Sequence, residues 1–199
     1  MRHRVGILIS GRGSNMLALV AAARQADFPA EIALVLANDP DASGIAAAAA
    51  AGVATAVVDH RPFRGDRAAH EAAVAATLDA AGVGFVCLAG YMRLLTPFLV
   101  DRYAGRMLNI HPSLLPAFPG LDTHARAIAA GVPLHGCTVH WVTDAMDAGP
   151  VVAQAAVPVL AADTPDSLAA RVLAQEHALY PAALARVLAK PLPAMGRVP

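Results

Sequence analysis

The stretch Val5-Gly-Ile-Leu-Ile-Ser-Gly-Arg-Gly-Ser-Asn15 decides the fold class of this chain. Its first residues are mostly apolar and predict a short buried strand, which Gly11 and Gly13 close with a tight turn. Ser14 belongs to the residue types that cap helices, so a helix is predicted from Ser14 to about Gln25. A strand, a glycine-rich turn and a helix in this order form the first part of a βαβ unit.

The same alternation continues through the first half of the chain. Short apolar runs predict three more strands, at residues 31–37, 53–58 and 83–88. The segments between them predict helices that begin at Ser43 and Asp66, both N-cap residue types, and that close at Gly52 and Gly82. Strands that alternate with helices at this spacing predict a mainly parallel sheet with helical crossovers.

The second half of the chain is less regular. Alternating apolar residues predict strands at 106–110, 135–142 and 150–160. Thr123 is expected to cap a short helix, and a long helix is expected over 168–189, which Pro181 either kinks or ends midway. Because 199 residues suit one domain, we predict a single α/β domain over 1–199 with a doubly wound, mainly parallel, twisted sheet of the Rossmann-like type.

Composition argues against several classes of function. Lys plus Arg and Asp plus Glu both number 15, and this balance argues against broad binding to nucleic acid. The longest apolar stretch, 44–58, is interrupted and shorter than the ~20 residues of a membrane span, so no membrane association is predicted. The chain shows no signal-peptide pattern, and two cysteines predict no disulfide framework, so a cytoplasmic location is expected. Lys190 is the sole lysine, and the sequence has no P-loop.

The first glycine-rich turn is a candidate phosphate site. Residues 11–15 follow a strand and open a helix, where free backbone N–H groups and the helix dipole favour an anion. A dinucleotide fingerprint would require another glycine three positions after Gly13, but Met16 stands there. The pattern therefore favours a phosphomonoester over NAD. A tight turn with a helix cap and no ligand remains the alternative.

Asn109 and His111 are the candidate catalytic pair. Their spacing of two places both side chains on one face of an extended segment, and Pro112 then turns the chain away. Asn can donate an N–H to a developing oxyanion, and His can donate a hydrogen bond and move a proton. The alternative is a buried polar pair that stabilises an irregular loop.

A later turn-rich segment supplies a candidate carboxylate for the imidazole. Asp144 and Asp147 lie between two predicted strands, and either could orient the histidine; spacing does not choose between them. His135, Cys137 and His140 were considered as metal ligands. The third points to the opposite strand face from the other two, so no metal site is predicted.

Four segments resemble the phosphoribosylglycinamide formyltransferase family, the folate-dependent transformylases of purine synthesis. They are Val5–Asn15, Leu88–Leu95, Asn109–Gly120 and Asp144–Pro150, and the stretch Gln175–Pro181 is similar as well. These segments follow the family's order along nearly the whole chain. The resemblance implies a formyltransferase-type fold and direct transfer of a formyl group from 10-formyltetrahydrofolate, as cosubstrate, to the amine of 5′-phosphoribosylglycinamide.

The resemblance also implies residue roles. Asn109 and His111 become the catalytic amide and imidazole, with Asp147 rather than Asp144 as the carboxylate partner. The ribonucleotide-binding residues implied are Gly13, Ser14, Asn15 and Glu176. The folate-binding residues implied are Arg67, Met92, Arg93, Leu94, Leu95 and Asn109. Residues from 1 to about 100 then form a phosphate-binding half, and residues from about 101 to 190 form a catalytic and folate-binding half.

Several alternatives stay open at the level of sequence. A formyltetrahydrofolate deformylase or another amine formyltransferase, such as one acting on methionyl-tRNA, could use the same core. A non-catalytic nucleotide-binding module and a Rossmann-type dehydrogenase are alternatives from other classes. The expected partners are small-molecule substrates, and the chain is expected to be a monomer or a homodimer.

Overall fold

A seven-stranded sheet forms the centre of the structure. The computed structural model describes residues 2–192. The strands are β1 His3–Ile9, β2 Ala30–Ala37, β3 Thr55–Val57, β4 Phe85–Leu88, β5 Met107–His111, β6 Leu134–Trp141 and β7 Val151–Pro158. Their order in the sheet is β3-β2-β1-β4-β5-β6-β7. The first five strands are parallel, and β6 and β7 are antiparallel to their neighbours. The predicted fold class is therefore confirmed.

Helices cover both faces of this sheet. They are α1 Ser14–Ala23, α2 Gly44–Ala50, α3 Arg67–Ala80, α4 Pro97–Arg102, α5 Thr123–Ala129 and α6 Pro165–Leu188. All but α4 correspond to predicted helices; α4 is only six residues long and carries no side-chain cap. A helix this short leaves almost no periodic signal in a sequence.

Alternate residues of the central strands point into two separate cores. Ile7 and Ile9 belong to a cluster that includes Leu184 of α6, whereas Leu8 between them packs with Leu78 of α3. This alternation is the pleat of a strand buried on both faces, which is why the strand sequences read as continuous apolar runs.

Two predicted helix caps are wrong. Gly13, not Ser14, occupies the N-cap of α1, and its φ of 70° places it in the left-handed region that glycine tolerates. Thr123 is the first residue of α5, and its hydroxyl donates to the carbonyl of Pro112 rather than capping the helix. The cap predicted at Asp66 is confirmed, since its carboxylate accepts the N–H of Ala69 at 3.0 Å.

The long helix α6 continues through Pro181, so the prediction that this proline ends it midway is wrong. A capping box between Thr164 and Ser167 stabilises its beginning. Next to the proline, the buried hydroxyl of Tyr180 lies 3.0 Å from both the carbonyl of Leu88 and that of Leu108. These contacts fasten α6 to β4 and β5.

The carboxyl and amino ends of the parallel strands have different surroundings. At the carboxyl ends of the strands lie the glycine-rich turn, the end of β5 and the loop that follows β4. At the amino end of β5, a surface depression is lined by Gly105, Trp141 and Lys190, among others. Within residues 2–192, no helix combines the length and hydropathy that crossing a membrane requires.

Candidate active site

The end of β5 carries Asn109 and His111 to the carboxyl edge of the sheet. His111 is buried and Asn109 is half-buried, and the chain leaves the strand directly after them at Pro112. In open α/β sheets this edge is where ligands bind. The pair therefore lies at the edge where the sequence pattern predicted a site.

Asp147 approaches His111 from the loop between β6 and β7. Its Oδ2 lies 3.4 Å from Nδ1 of His111, and the same oxygen accepts the backbone N–H of Gly120 at 2.9 Å. Asp147 has a φ of 53°, a left-handed conformation that Asp tolerates better than most residues. Asp144 is exposed. The geometry thus favours Asp147 as the partner, a choice that residue spacing left open.

Both ring nitrogens of His111 face hydrogen-bond acceptors. Nε2 lies 3.0 Å from the carbonyl oxygen of Phe118, which can only accept, so this nitrogen donates. Nδ1 faces the carboxylate of Asp147. A neutral ring has one N–H, so only the doubly protonated imidazolium presents a donor to each acceptor. An acceptor oxygen therefore lies beside each nitrogen of the ring.

His140 lies beside Asn109 and has different partners. Its Nδ1 donates to the carbonyl of Trp141 at 2.9 Å, which leaves Nε2 as the acceptor for the amide N–H of Asn109 at 3.1 Å. Burial lowers the pKa of His140, which favours the neutral ring that this arrangement needs. His140 thus orients the amide of Asn109 and leaves its second N–H available.

This role of His140 is not evident from the sequence, where the residue stands out only as a candidate metal ligand. The contact with Asn109 follows from the antiparallel pairing of β5 with β6. In that pairing Asn109 and His140 are direct cross-strand partners. No local sequence pattern encodes this register, because residues 112–133, which include α5, separate the two strands.

Behind His111 lies a layer of aromatic rings. His135 packs edge-to-face against Phe118 and His124, with ring centroids 5.8 and 5.2 Å apart, and is almost completely buried. Burial, with a contribution from His124, lowers the pKa of His135 to about 4. Within residues 2–192, no group of three or more His, Cys, Asp or Glu side chains is arranged to hold a metal ion.

The glycine-rich turn packs tightly against the start of α2. The N–H of Gly44 donates to the carbonyl of Gly11 at 3.0 Å, and a Cβ on Gly44 would lie 2.8 Å from the same oxygen. The first residues of α1, Ser14 and Asn15, follow Gly13 directly, and the N–H groups of a helix's first turn lack partners within the helix. Such N–H groups suit an anion, and the phosphate site at this turn stays a prediction.

Asn15 connects this turn to α6. Its Nδ2 donates to Oε2 of Glu176 at 2.6 Å, and Glu176 is buried. Burial raises the pKa of Glu176, while the bond from Asn15 opposes that rise. Oδ1 of Asn15 is buried and has no hydrogen-bond partner among residues 2–192. The structure therefore brings together two of the residues expected to bind the ribonucleotide.

The segment expected to bind folate follows β4. Met92 and Leu94 are 69% and 58% exposed, whereas Arg93 and Leu95 are half-buried. Arg67 is exposed at the first position of α3, one helical turn before Glu71, which contacts the far end of this segment at Thr96. The segment thus presents apolar side chains outward. It contacts Ser10, the residue just before the glycine-rich turn, through the N–H of Met92.

Comparison with known proteins identifies the family. A sequence profile of the formyl transferase family matches residues 3–184. The phosphoribosylglycinamide formyltransferase of Escherichia coli (strain K12) is 46% identical over 175 residues, which are 88% of this chain and 82% of that protein. The chain belongs to the phosphoribosylglycinamide formyltransferase family.

Structures and longer relatives agree with this assignment. The crystal structure of phosphoribosylglycinamide formyltransferase from Brucella melitensis superimposes with a TM-score of 0.91 at 55% identity, over 96% of this chain and 98% of that one. The trifunctional purine biosynthetic protein adenosine-3 of Homo sapiens is 42% identical over 183 residues, or 92% of this chain. The chain spans only 18% of the length of that trifunctional protein. Membership in the phosphoribosylglycinamide formyltransferase family makes the protein a transferase and confirms the family that the sequence motifs indicated.

Proposed function

We propose that this protein transfers the formyl group of 10-formyltetrahydrofolate to the amine of 5′-phosphoribosylglycinamide in purine biosynthesis. The observation that carries the proposal is the convergence of Asn109, His111 and Asp147 at the carboxyl edge of the sheet. The relatives in Escherichia coli and Brucella melitensis are named phosphoribosylglycinamide formyltransferase, which supports the same reaction. The partners are small molecules, and the predictions of a monomer or homodimer and of a cytoplasmic location stay predictions.

The ribonucleotide binds across the first half of the chain in this proposal. Its phosphate accepts N–H groups at Gly13, Ser14 and Asn15, where the helix dipole also favours negative charge. Glu176 and Asn15 lie next to this turn and are hydrogen bonded to one another. Glu176 then contacts the ribose or glycinamide end of the substrate, and the hydrogen bond from Asn15 holds its carboxylate in place.

The formyl donor binds along the second half. Met92 and Leu94 offer exposed apolar surface to the flat pterin ring, and Leu95 supports them from the core. Arg93 and Arg67 supply the positive charge that suits the carboxylates of the folate tail. Asn109 lies on the folate side of the reacting carbon. The single domain then has a phosphate-binding half and a catalytic, folate-binding half.

Chemistry begins with attack of the glycinamide amine on the formyl carbon. A C–N bond forms, and the π electrons of the carbonyl move to its oxygen. Asn109 donates to this oxyanion with the amide hydrogen that His140 does not take, and the positive charge of protonated His111 stabilises it. Asp147 keeps the imidazole doubly protonated.

The tetrahedral intermediate then collapses. The carbonyl re-forms, the bond from carbon to N10 of folate breaks, and its electron pair stays on N10. The attacking nitrogen loses a proton that reaches N10 through water, so the products are the N-formylated ribonucleotide and tetrahydrofolate. No bond to the protein forms, and the residues act by orientation and electrostatic stabilisation.

The decisive experiment measures release of tetrahydrofolate from 10-formyltetrahydrofolate by absorbance, with and without 5′-phosphoribosylglycinamide. Turnover that requires the ribonucleotide is the expected result. Turnover without it would identify a deformylase instead, and no turnover under either condition would contradict the proposal. A variant lacking the imidazole, His111→Ala, is the control for contaminating activity.

A further inference from the structure

Two polar side chains, Ser10 and Glu71, hold the ends of the segment 90–96 that joins β4 to α4. At the first end, Oγ of Ser10 accepts the backbone N–H of Met92 at 2.7 Å. The backbone N–H of Ser10 also donates to the carbonyl of Gly90 at 3.0 Å. Ser10 follows β1 directly, so these bonds join the segment to the strand that leads into the glycine-rich turn.

The hydroxyl of Ser10 is itself fixed by a third group. The oxygen of this hydroxyl accepts the N–H of Met92, and its single proton is donated to Oδ1 of Asn38, 2.5 Å away. Asn38 is buried at the end of β2. The position of Met92 is therefore set by side chains from the ends of two neighbouring strands.

The second end is fixed from the helix α3. Glu71 is 2% exposed, and its two oxygens accept hydrogen bonds from the backbone N–H and the hydroxyl of Thr96. A buried carboxylate is strongly unfavourable unless such bonds are made. Glu71 therefore gains its hydrogen bonds only while Thr96 stays in place, which ties the segment to α3.

Between the two anchors the segment exposes apolar side chains. Met92 and Leu94 point outward, whereas Tyr91 and Leu95 pack in the core beside Leu99. Exposed apolar groups gain free energy by folding back against the protein. The bonds at both ends oppose that collapse, so the outward arrangement is held without a ligand.

We propose that Ser10 and Glu71 are positioning residues that hold segment 90–96 open for the ring of the formyl donor. The identity of that donor rests on the proposed function. Neither residue touches the reacting atoms; both act through the segment. A surface that is already ordered loses less conformational entropy on binding, so the anchors raise affinity for the donor and leave the chemical step unchanged.

Substitutions at the α3 anchor separate hydrogen bonding from charge. Glu71→Ala removes both acceptors and should raise KM for 10-formyltetrahydrofolate about tenfold, with kcat within about twofold of normal. Glu71→Gln can still accept the N–H of Thr96 and donate to its hydroxyl, so it should restore nearly normal KM. Thr96→Val loses only the hydroxyl and should show a smaller rise. Thr77→Val, which removes a hydroxyl bonded within α3, is the matched control.

The anchor at β1 is tested in the same way. Ser10→Ala leaves the N–H of Met92 and Oδ1 of Asn38 without this partner and should also raise KM for the formyl donor several-fold. Ser43→Ala is the matched control, since Ser43 is exposed and its side chain makes no cap hydrogen bond at α2. KM for the ribonucleotide should stay unchanged in the Glu71 and Thr96 variants.

Amide hydrogen exchange provides a readout that needs no substrate. Faster exchange across residues 90–96 in Glu71→Ala and Ser10→Ala, with unchanged exchange in β5, is the expected result. Unchanged exchange in that segment would overturn the proposal, as would equal losses in kcat and in affinity for both substrates. Should Glu71→Ala fail to fold, amide exchange across residues 90–96 and KM for the formyl donor in Thr96→Val and Ser10→Ala test the proposal instead. If exchange across residues 90–96 becomes faster in these variants but no transformylase activity is found, Ser10 and Glu71 do hold the segment and the proposed function is wrong.

Discussion

At the scale of single residues, the site holds two histidines on neighbouring strands, His111 on β5 and His140 on β6. Both ring nitrogens of His111 face acceptors, whereas Nε2 of His140 is unprotonated and accepts the N–H of Asn109. Both rings lie near Asp147, whose Oδ2 is 3.4 Å from His111 and whose Oδ1 is 3.8 Å from His140, and the carbonyl of Trp141 fixes the tautomer of His140. In the proposed mechanism, the first role is that of His111, which stabilises the oxyanion directly. The second is that of His140, which orients the amide of Asn109 that donates to the oxyanion.

Replacing His111 or neutralising Asp147 tests the first role. His111→Ala should lower kcat by about 10²–10³, the usual effect of losing one group that stabilises the oxyanion. Asp147→Asn keeps a residue type that tolerates the left-handed backbone and removes only the charge, so it should lower kcat while the protein stays folded. Steady-state kinetics together with circular dichroism measure both effects. Nearly normal turnover in folded His111→Ala would rule out the assigned role.

Replacing His140 tests the orientation of the amide. His140→Leu removes the acceptor at 3.1 Å from Asn109, so the amide can rotate away from the substrate, and kcat should fall by about tenfold. The double variant with Asn109→Ala should be no slower than Asn109→Ala alone, because the two residues act as one unit. A purely additive loss would show that His140 acts by another route. His3→Gln, at the start of β1, serves as the control.

At the scale of elements, the sequence predicted the strands well and the loops poorly. Buried parallel strands leave continuous apolar runs in the sequence, so β1 to β4 could be located from these runs. The choice between Asp144 and Asp147 could not be made in this way, because it depends on the path of a loop whose conformation includes a left-handed residue. The role of His140 depends on the register of β5 with β6, which no local pattern encodes.

The loop that carries Asp147 depends on Gly149. A Cβ at this position would lie 1.7 Å from the carbonyl oxygen of Trp141, a backbone atom that cannot move aside. Gly149→Ala should therefore displace the loop, separate Asp147 from His111 and lower kcat at least tenfold. Ala148→Gly, at the exposed neighbouring position, is the matched control and should be nearly normal. Equal activity in both variants would contradict this account of the loop.

At the scale of the whole molecule, burial of His135 makes folding stability depend on pH. The unfolded chain takes up a proton at this ring near its ordinary pKa of 6.5, whereas the folded protein does so only near pH 4. The unfolded state thus binds more protons between these values. Stability from this group is complete above pH 6.5 and falls by up to about 3 kcal/mol as the pH approaches 4.

The variant His135→Leu isolates this effect. Neither ring nitrogen of His135 makes a hydrogen bond of ordinary geometry among residues 2–192, and the nearby carbonyl of Pro112 favours the protonated ring, an effect that the substitution also removes. Urea unfolding at pH 7.5 and pH 5 should show a smaller loss of stability in His135→Leu than in the parent protein. Equal losses in the two proteins would mean that other groups cause the acid sensitivity.

The end of α6 has a practical consequence for attaching this protein to surfaces. Lys190 is the sole lysine, and it lies with Gly105 and Trp141 at the amino edge of the sheet, opposite the end of β5 that carries His111. Besides the α-amino group, a reagent that couples to amines therefore has one target, the side chain of Lys190. Beads or sensor chips linked through it would hold each molecule in a single orientation, with the entrance for substrates turned toward the solution.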